Sequence, residues 1–285
     1  VFYRTYSRTK KDGGQETWND VVIRVINGVI SIRKDHYIRN GLTWDEAFWQ
    51  DYAGRMALSL FYMEWMPPGR GLWSMGTDFV YERGSMSLYN CAYTEIHDDI
   101  PEACAWIMDC LMNGVGVGFG PCRNDSIRMY PSANRPIRSV IIPDSREGWV
   151  ESVRELLACF MDKNLPVPIF DYHLIRKKGL PIRGFGGLAS GPEPLIRLHD
   201  QIIHVCNCYA HGEIDSVRMK TDIANMIGCC VIAGNVRRSA ELACSPISDP
   251  TLLDLKDYAK HPDREEYGWM SNNSVILEKP DDFEY

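Results

Sequence analysis

The feature that most constrains the fold of this chain is a helix–loop–strand junction at residues 233–242. Before it, apolar residues recur at helical spacing through residues 216–232, and after it residues 239–244 alternate polar and apolar side chains, as a half-buried strand does. Gly234 and Asn235 stand at the joint, and both tolerate the left-handed backbone that such a joint often needs. Helices and short strands alternate elsewhere in the chain as well, which predicts the α/β fold class.

The junction segment, as we call residues 234–239, consists of Gly234, Asn235, Val236, Arg237, Arg238 and Ser239. Its two adjacent arginines present guanidinium groups that suit phosphates or nucleobase edges. The alternative is a capped helix whose arginines pair with surface carboxylates. The residues by themselves leave both interpretations open.

Composition excludes several classes of protein. The net charge of −7 argues against a general nucleic-acid binder, which would be basic. No apolar run approaches about 18 residues, so no membrane span is expected, and the first residues lack the layout of a signal peptide. The ten cysteines do not suggest a secreted disulfide scaffold, and without paired Cys-x-x-Cys motifs no metal site is predicted. We expect a reduced, cytoplasmic protein.

Residues 1–85 are predicted to form a helical domain, and residues 86–285 a region of alternating strands and helices. In the first region, capping patterns are predicted to open two helices, and residues 69–84 are predicted to form a turn-rich loop. The two capping pairs are Thr17 with Asp20 and Thr43 with Glu46.

In the second region, residues 86–95 predict a strand, and Asp99 and then Asp144 are predicted to cap helices. Residues 123–143 have an irregular pattern. Residues 114–120 alternate glycine with apolar residues, but they fail as a dinucleotide fingerprint because Pro121 follows and no helix does. We predict instead a strand whose glycines allow another backbone or a ligand to come close.

Eight stretches, spread from one end of the chain to the other, match one known family in the same order. They are residues 3–8, 69–78, 90–91, 114–120, 144–150, 184–192, 233–242 and 271–275. Any one of them is weak evidence, but eight in order are a strong signal. On these motifs the chain resembles ribonucleotide reductases, especially the adenosylcobalamin-dependent (class II) ribonucleoside-triphosphate reductases.

The resemblance implies a fold and a reaction. The fold would be an N-terminal helical domain, residues 1–85, followed by the first half of a ten-stranded α/β barrel in residues 86–285. The barrel strands would lie near residues 88–94, 115–119, 239–244 and 272–277. The reaction would replace the ribose 2′-hydroxyl group with hydrogen through a thiyl radical generated with adenosylcobalamin.

Cys91 is the sharpest candidate for chemistry. In the family, the cysteine of the Asn-Cys motif is one of a pair that delivers two electrons to the ribose and becomes a disulfide, and the resemblance implies that role for Cys91. A cysteine in a strand is otherwise most often inert core, which is the alternative. The resemblance also implies that four further residues bind substrate: Arg70, Gly71, Ser74 and Asn90. For the first three, a simple turn between a helix and a strand is the competing interpretation.

The junction segment is similar to the family's specificity loop, which bridges the substrate base and an allosteric deoxynucleoside triphosphate. Helix N-termini and glycine-rich turns offer backbone N–H groups to triphosphates, and the effector-binding elements would contain Glu102, Asp109, Gly186, Gly187, Ser190 and Gly191. Relatives carry longer insertions in this region, whereas only 22 residues separate Cys91 from Gly114 and only 23 separate Gly120 from Asp144. We therefore expect an effector site that is simplified or completed by a second subunit.

The Asn-Pro-Cys-Gly-Glu loop, which carries the radical cysteine and the acid/base glutamate of the family, does not occur in the sequence. The resemblance places that loop, the second redox cysteine and the cobalamin-binding segments beyond Tyr285, in a missing C-terminal half. This chain alone is then expected to be inactive, and a thioredoxin-like reductant and a ribonucleoside triphosphate would be partners of the completed enzyme. Two alternatives stay open: a non-catalytic, nucleotide-binding regulatory fragment, and a reductase with a different radical source.

Overall fold

The computed structural model describes residues 2–10, 13–180, 188–233, 240–277 and 279. The chain divides into two compact units, residues 1–90 and 91–285. Predictions for Gly186, Gly187 and the whole junction segment concern residues outside the described ranges.

The first unit is helical. Its helices are α1 Phe2–Thr5, α2 Trp18–Arg39, α3 Glu46–Phe61, α4 Gly69–Ser74 and α5 Asp78–Arg83, and a 3-10 turn follows at Ser85–Leu88. Helices α2 and α3 pack around a core that includes Val21, Val25 and Leu60. The predicted capping box at the start of α2 is confirmed, because the Thr17 hydroxyl accepts from the Asp20 backbone N–H and the Asp20 carboxylate accepts from the Thr17 N–H.

Two predictions for this unit are wrong. Asp45, not Thr43, caps α3 by accepting from the Phe48 N–H at 3.0 Å, and the Glu46 carboxylate instead accepts from Lys34 and a tryptophan ring. Residues 69–84 form the helices α4 and α5 rather than a loop. The physical reason is packing, since Leu72 of α4 is buried in the core that α2 and α3 form, and this contact outweighs the weak helix propensity of the glycines.

The second unit contains a parallel sheet of four strands in the order β1-β2-β5-β6 and a parallel pair β3-β4. The strands are β1 Cys91–Thr94, β2 Gly116–Phe119, β3 Ile137–Ile141, β4 Val167–Asp171, β5 Glu241–Pro246 and β6 Ser271–Ile276. The helices are α6 Ile100–Met112, α7 Arg146–Met161, α8 Glu193–Ala210, α9 Ser216–Ile232 and α10 Thr251–Asp254. The four-stranded sheet contains the strands expected near residues 88–94, 115–119, 239–244 and 272–277, although β1 is shorter than predicted.

Helices α6 and α9 pack together and cover one face of the four-stranded sheet. The register places Val117 and Phe119 of β2 on this covered face together with Glu241 and Ala243 of β5, and all four side chains are buried. The opposite face, which we call the open face, carries more exposed residues. Its members include Cys91, Tyr93, Gly116, Gly118, Leu242 and Asn272.

The alternating glycines form strand β2, as predicted, and they do allow close approach. A Cβ on Gly118 would lie 2.8 Å from the ring of Tyr93, which therefore lies across β2 on the open face. A Cβ on Gly120 would lie 2.5 Å from the Cys244 carbonyl oxygen, and the φ of Gly120 is +153°. A side chain at position 118 would displace the Tyr93 ring, and one at position 120 would clash with the backbone of β5.

The pair β3-β4 was not predicted from the sequence. Nearly every residue of β3 is exposed, so the strand lacks the apolar alternation on which such a prediction depends. Ser145 rather than Asp144 caps the following helix α7, accepting from the Gly148 N–H at 3.0 Å, because the Asp144 carboxylate binds Arg176 at 2.7 Å.

His199 of α8 joins three elements near this strand pair. Its Nε2 lies 2.9 Å from the hydroxyl of Ser152 on α7, and its Nδ1 lies 2.8 Å from the hydroxyl of Tyr172, which follows β4. The Ser152 hydroxyl donates to the Trp149 carbonyl, so Nε2 carries the proton and Nδ1 accepts from Tyr172. Burial lowers the pKa of His199 to about 3, which keeps the ring neutral.

Within the described ranges, no helix is long and apolar enough to cross a lipid bilayer.

Two mid-helix glycines give a matched test of packing. Gly28→Ala in α2 is expected to destabilise the protein by about 1–3 kcal/mol, because overpacking forces backbone shifts and the new Cβ would lie 2.5 Å from the Gly76 backbone nitrogen. Gly54→Ala in α3 is the control. Its Cβ would meet nothing within 4 Å, so it should stabilise the helix by about 0.5–1 kcal/mol. Chemical denaturation measures both changes, and effects of the same sign would contradict this account.

Candidate functional site

Cys91 is the first residue of β1 and the only one of the ten cysteines that is exposed; all ten lie in the described residues and are free thiols. It lies on the open face and pairs in register with Gly116. Because Gly116 has no side chain, none projects from the neighbouring strand beside the thiol.

Buried cysteines on α6, α7 and α8 have environments that suppress thiolate formation. Burial raises the pKa of Cys104 and Cys110 to about 12 and that of Cys159 to about 11. Cys206, in a fully buried position on α8, has its pKa raised well above the ordinary value by the same desolvation. Since the thiolate is the reactive form, these cysteines are structural in character.

The parallel register brings Cys91, the first residue of β1, to the same edge of the sheet as Glu241, the first residue of β5. All four strands begin at this edge, because parallel strands run in the same direction. Helix α9 ends at Ile232 and β5 begins at Glu241, so the helix before the junction segment and the strand after it meet here. Strand β5 lies two strands from β1, which corresponds to about 10 Å, and the carbonyl of Ala240 accepts from the Val117 N–H at 2.9 Å.

A buried hydrogen bond joins helix α9, which precedes the junction segment, to strand β5, which follows it. The Nδ2 of Asn225 on α9 donates to Oε2 of Glu241, the first residue of β5, at 3.0 Å. The Oδ1 of Asn225 in turn accepts from the guanidinium group of Arg264 at 3.4 Å. Arg264 is fully buried and its Nε donates to the Asp222 carboxylate at 2.6 Å.

Glu241 was missed as a candidate, and its side-chain orientation reverses the sequence expectation. The alternation at residues 239–244 suggests that Leu242 faces the core and Glu241 the solvent. In the structure Glu241 is 4% exposed and Leu242 is 39% exposed. The reversal has a physical cause, because Asn225 and the glycine at position 228 make a polar, roomy place for the carboxyl group on the covered face. The available signal was the spacing of Glu241 and Ala243, because residues two apart in a strand share a face. Ala243 is buried, and Glu241 lies on the same face.

Three of the predicted substrate-binding residues lie in helix α4 of the first unit, not in a loop. The Ser74 hydroxyl is buried and donates to the Arg70 carbonyl at 2.8 Å, so it serves the helix itself. Burial lowers the pKa of Arg70 from its ordinary value, and a Cβ on Gly71 would lie 3.2 Å from Pro67. Asn90 is exposed and directly precedes Cys91. Binding of substrate by these four residues stays a prediction.

The predicted effector residues Glu102 and Asp109 both lie on α6 and both pair with arginines of α7. Arg154 donates from Nε to Glu102 at 2.7 Å, and Arg146 pairs with Asp109. The hydrogen bond from Arg154 lowers the pKa of the Glu102 carboxyl group. These carboxylates are thus neutralised by neighbouring cations rather than free to repel an anion.

Ser190 and Gly191, the other described effector candidates, lie just before Pro192, the N-cap of α8. Gly191 has φ +83°, and a Cβ there would lie 2.3 Å from the Glu193 carboxylate. The position therefore requires glycine, which agrees with a tight turn at the start of the helix.

Comparisons with known proteins identify the family. Residues 1–77 match the model of the ribonucleotide reductase alpha domain, and residues 124–206 match that of the insertion domain of B12-dependent ribonucleotide reductase. Adenosylcobalamin-dependent ribonucleoside-triphosphate reductases match 97–98% of this chain: a probable one from Dictyostelium discoideum and that of Euglena gracilis are each 40% identical, and that of Lactobacillus leichmannii is 30% identical. A crystal structure of B12-dependent (class II) ribonucleotide reductase matches with a TM-score of 0.78 and 27% identity, over 96% of this chain and 45% of that one.

The chain therefore has the fold and the sequence of part of a ribonucleotide reductase. Within that class it belongs to the adenosylcobalamin-dependent ribonucleoside-triphosphate reductase family, as the motifs predicted. It spans 38–44% of the length of the three curated relatives named here.

The insertion-domain match covers β3, α7, β4 and most of α8. This region therefore has a recognisable domain of the family, although residues 120–144 looked short in the sequence. The alignment with the Lactobacillus leichmannii reductase extends over 337 residues, more than this chain contains, so that relative carries additional residues in the matched region.

Selective alkylation tests the placement of the thiols. With limiting iodoacetamide in the native protein, we expect Cys91 to be modified at least tenfold faster than Cys104, Cys110 or Cys206, because only Cys91 is exposed and burial raises the pKa of the other three. Peptide mass spectrometry measures the rates. A denatured sample is the control, in which the four rates should converge; equal rates in the native protein would contradict the structure.

Proposed function

We propose that this chain supplies a reducing thiol and the specificity segment of an adenosylcobalamin-dependent ribonucleoside-triphosphate reductase. One observation carries the proposal: the exposed thiol of Cys91 and both flanks of the junction segment lie at the same edge of one parallel sheet. The names of the curated relatives support the reaction class.

The proposed chemistry of Cys91 is the reduction of the ribose. The 2′-hydroxyl group leaves as water and a hydrogen replaces it on C2′, while two thiols lose two electrons and two protons and become a disulfide. Cys91 is one of these thiols, and the rest of the enzyme supplies the other. An external dithiol of the thioredoxin class then reduces the disulfide by thiol exchange, for which the exposure of Cys91 is suited.

The four-stranded sheet is proposed to be part of a ten-stranded α/β barrel. In the part of the chain that the structure describes, α6 and α9 cover one face, and the open face carries Cys91 together with small or uncharged residues. In a barrel this face would line the interior, where the substrate binds. Strands β1 and β6 are the outermost strands of the sheet in the described residues, and further strands of the complete protein would pair with them.

Adenosylcobalamin is proposed as the cofactor of the complete protein, where it would supply the radical chemistry. A cavity of about 370 Å³ among the described residues lies between β3 and α7, where the apolar residues 140–143 face Glu147, Glu151 and Glu155. These three carboxylates do not suit the phosphate group of a cobalamin, so we do not assign the cofactor to this cavity.

A deoxynucleoside triphosphate is the proposed effector, acting through the junction segment. A ligand shifts an equilibrium only through different affinities for two states, so the junction segment would need two arrangements that favour different bases. Helices α6 and α7, which meet through the Arg154–Glu102 and Arg146–Asp109 pairs, are proposed to border the effector site.

Cys91→Ser tests the reducing role in the complete enzyme. We expect it to abolish multiple turnovers with a dithiol reductant, because serine cannot form the disulfide, and to leave cofactor-dependent radical formation intact. Steady-state assays and single-turnover spectroscopy measure the two steps. Cys208→Ser, which removes a partly exposed thiol on α8, is the matched control and should keep normal turnover. Normal turnover in Cys91→Ser would exclude the role.

Replacing Arg237 and Arg238 together with Ala tests the junction segment. We expect the effector-dependent change in substrate preference to fall at least tenfold while the basal rate falls less, because the guanidinium groups are proposed to act in the choice of base. The measurement is the ratio of kcat/KM for two ribonucleotides with and without effector.

The control for this variant is the double replacement of Arg39 and Arg55 with Ala, which removes two exposed arginines from helices α2 and α3. It should leave the effector response unchanged. Loss of basal activity with an intact effector response in the Arg237 and Arg238 variant would count against the proposal.

A further inference from the structure

Glu241 occupies an unusual position for a carboxyl group. It begins the strand that leaves the junction segment, yet its side chain is buried on the covered face of the sheet. Oε2 accepts from Asn225 at 3.0 Å, whereas Oε1 is buried without a hydrogen-bond partner among the described residues. A buried carboxylate in such a place is costly unless it is paired or protonated.

The place for the carboxyl group is built by helix α9. Oε1 lies against Gly228, where a Cβ would come within 2.5 Å of it, so any side chain at position 228 would displace the carboxyl group. Asn225 is oriented by Arg264, whose guanidinium group donates to its Oδ1 and leaves Nδ2 to face Glu241. The contact therefore connects the last two turns of α9 to the first residue of β5.

No cation neutralises Glu241 in the described residues. Lys256 attracts the carboxyl group but uses its ammonium group to donate to the backbone carbonyls of Gly268 and Ser271. The other titratable groups that face the carboxyl group are the thiols of Cys104 on α6 and Cys229 on α9. Arg264 and Asp222 lie beyond Asn225 and neutralise each other through a bond of 2.6 Å.

These surroundings favour the uncharged form. Desolvation raises the pKa of Glu241 to about 8, against smaller opposing effects of Asn225 and Lys256. At neutral pH most molecules would then carry a proton on this group, with Oε2 as the acceptor for Asn225 and the proton on Oε1.

We propose that Glu241 is a positioning residue for the junction segment, which as a neutral carboxylic acid bonded to Asn225 holds the start of β5 against the end of α9. It touches neither substrate nor cofactor in this role. It fixes the distance between the C-terminal part of α9 and the start of β5, the two elements that the junction segment connects. The structural part of this proposal is independent of the reaction, and only its consequence for substrate choice rests on the proposed function.

The pH dependence follows from linkage. In the native state Glu241 holds a proton. In the locally opened state the pKa of Glu241 would return to about 4.5, so the proton is released. The stabilisation is therefore complete below about pH 4.5, falls as the pH rises, and is lost above about pH 8. Between these limits the equilibrium constant for local opening should rise about tenfold per pH unit.

Hydrogen exchange of the complete protein tests the positioning role. The amides of the last two turns of α9 and of β5 should show this rise in opening, after correction for intrinsic exchange rates, with a plateau above about pH 8. Glu241→Gln keeps the size and the acceptor but cannot ionise, so its opening should be independent of pH over the same range. Glu265→Gln, an exposed glutamate in the following segment, is the matched control and should keep the wild-type slope. Equal slopes in wild type and Glu241→Gln would overturn the proposal.

A measurement without any substitution covers the case in which Glu241→Gln fails to fold. Infrared titration of the wild-type protein should show one buried carboxylic acid still protonated at pH 7 and titrating near pH 8. Ionisation of all carboxyl groups below about pH 6 would overturn the proposal, because a charged Glu241 could not be the neutral partner of Asn225.

Substrate choice is a separate readout. If the proposed function is also right, the effector-dependent preference of the wild-type enzyme should weaken at least threefold between pH 7 and pH 8.5, and that of Glu241→Gln should not. Should the exchange data follow the expected slopes while substrate preference stays constant with pH, the positioning role would stand and the specificity role of the junction segment would fail.

Discussion

The parallel pairing of β1, β2, β5 and β6 is the constraint on which the rest of this structure depends. Parallel neighbours require a crossover for every return of the chain, and here α6 and α9 supply crossovers that pack on one face of the sheet. The starts of all four strands consequently lie at one edge. Cys91 and the two flanks of the junction segment are brought together by this topology, although about 150 residues separate them in sequence.

Close approach of backbones is the second requirement, and particular glycines satisfy it. Gly28 lets α2 touch the turn at Gly76, Gly118 leaves room for the ring of Tyr93, and Gly228 leaves room for Glu241. These three glycines lie in helix α2, strand β2 and helix α9, respectively. The polar groups that the packing buries are mostly paired, as in the Asp222–Arg264 ion pair and in the bonds of His199 to Ser152 and Tyr172. Such pairing is what makes their burial tolerable.

The sequence predicted those elements whose signals are local. Thr17 and Asp99 cap their helices as expected, and the glycine alternation marks β2, because capping and backbone freedom depend on a few neighbouring residues. Three features depend on tertiary contacts and were not predicted: strand β3, helix α4 and the inward orientation of Glu241. Leu72 is helical because α2 and α3 enclose it, and Glu241 faces inward because Asn225, sixteen residues earlier, receives it. The prominence of Cys91 came from its family motif, since a cysteine in a strand is by itself most often inert core.

Under the proposed function, the edge at which the four strands begin would also link reduction by Cys91 to substrate choice without a direct contact between the two sites. Ala240, the residue after the junction segment, accepts from the N–H of Val117, and the neighbouring Gly116 pairs with Cys91. A displacement of β5 along its axis would have to stretch or break this hydrogen bond, which holds β2 in register. Packed strands resist continuous deformation, so a change at the junction segment would be passed to β2 as a discrete shift or not at all. Under the proposed function, strand β2 would be the physical route by which a nucleotide bound at the junction segment affects the thiol two strands away.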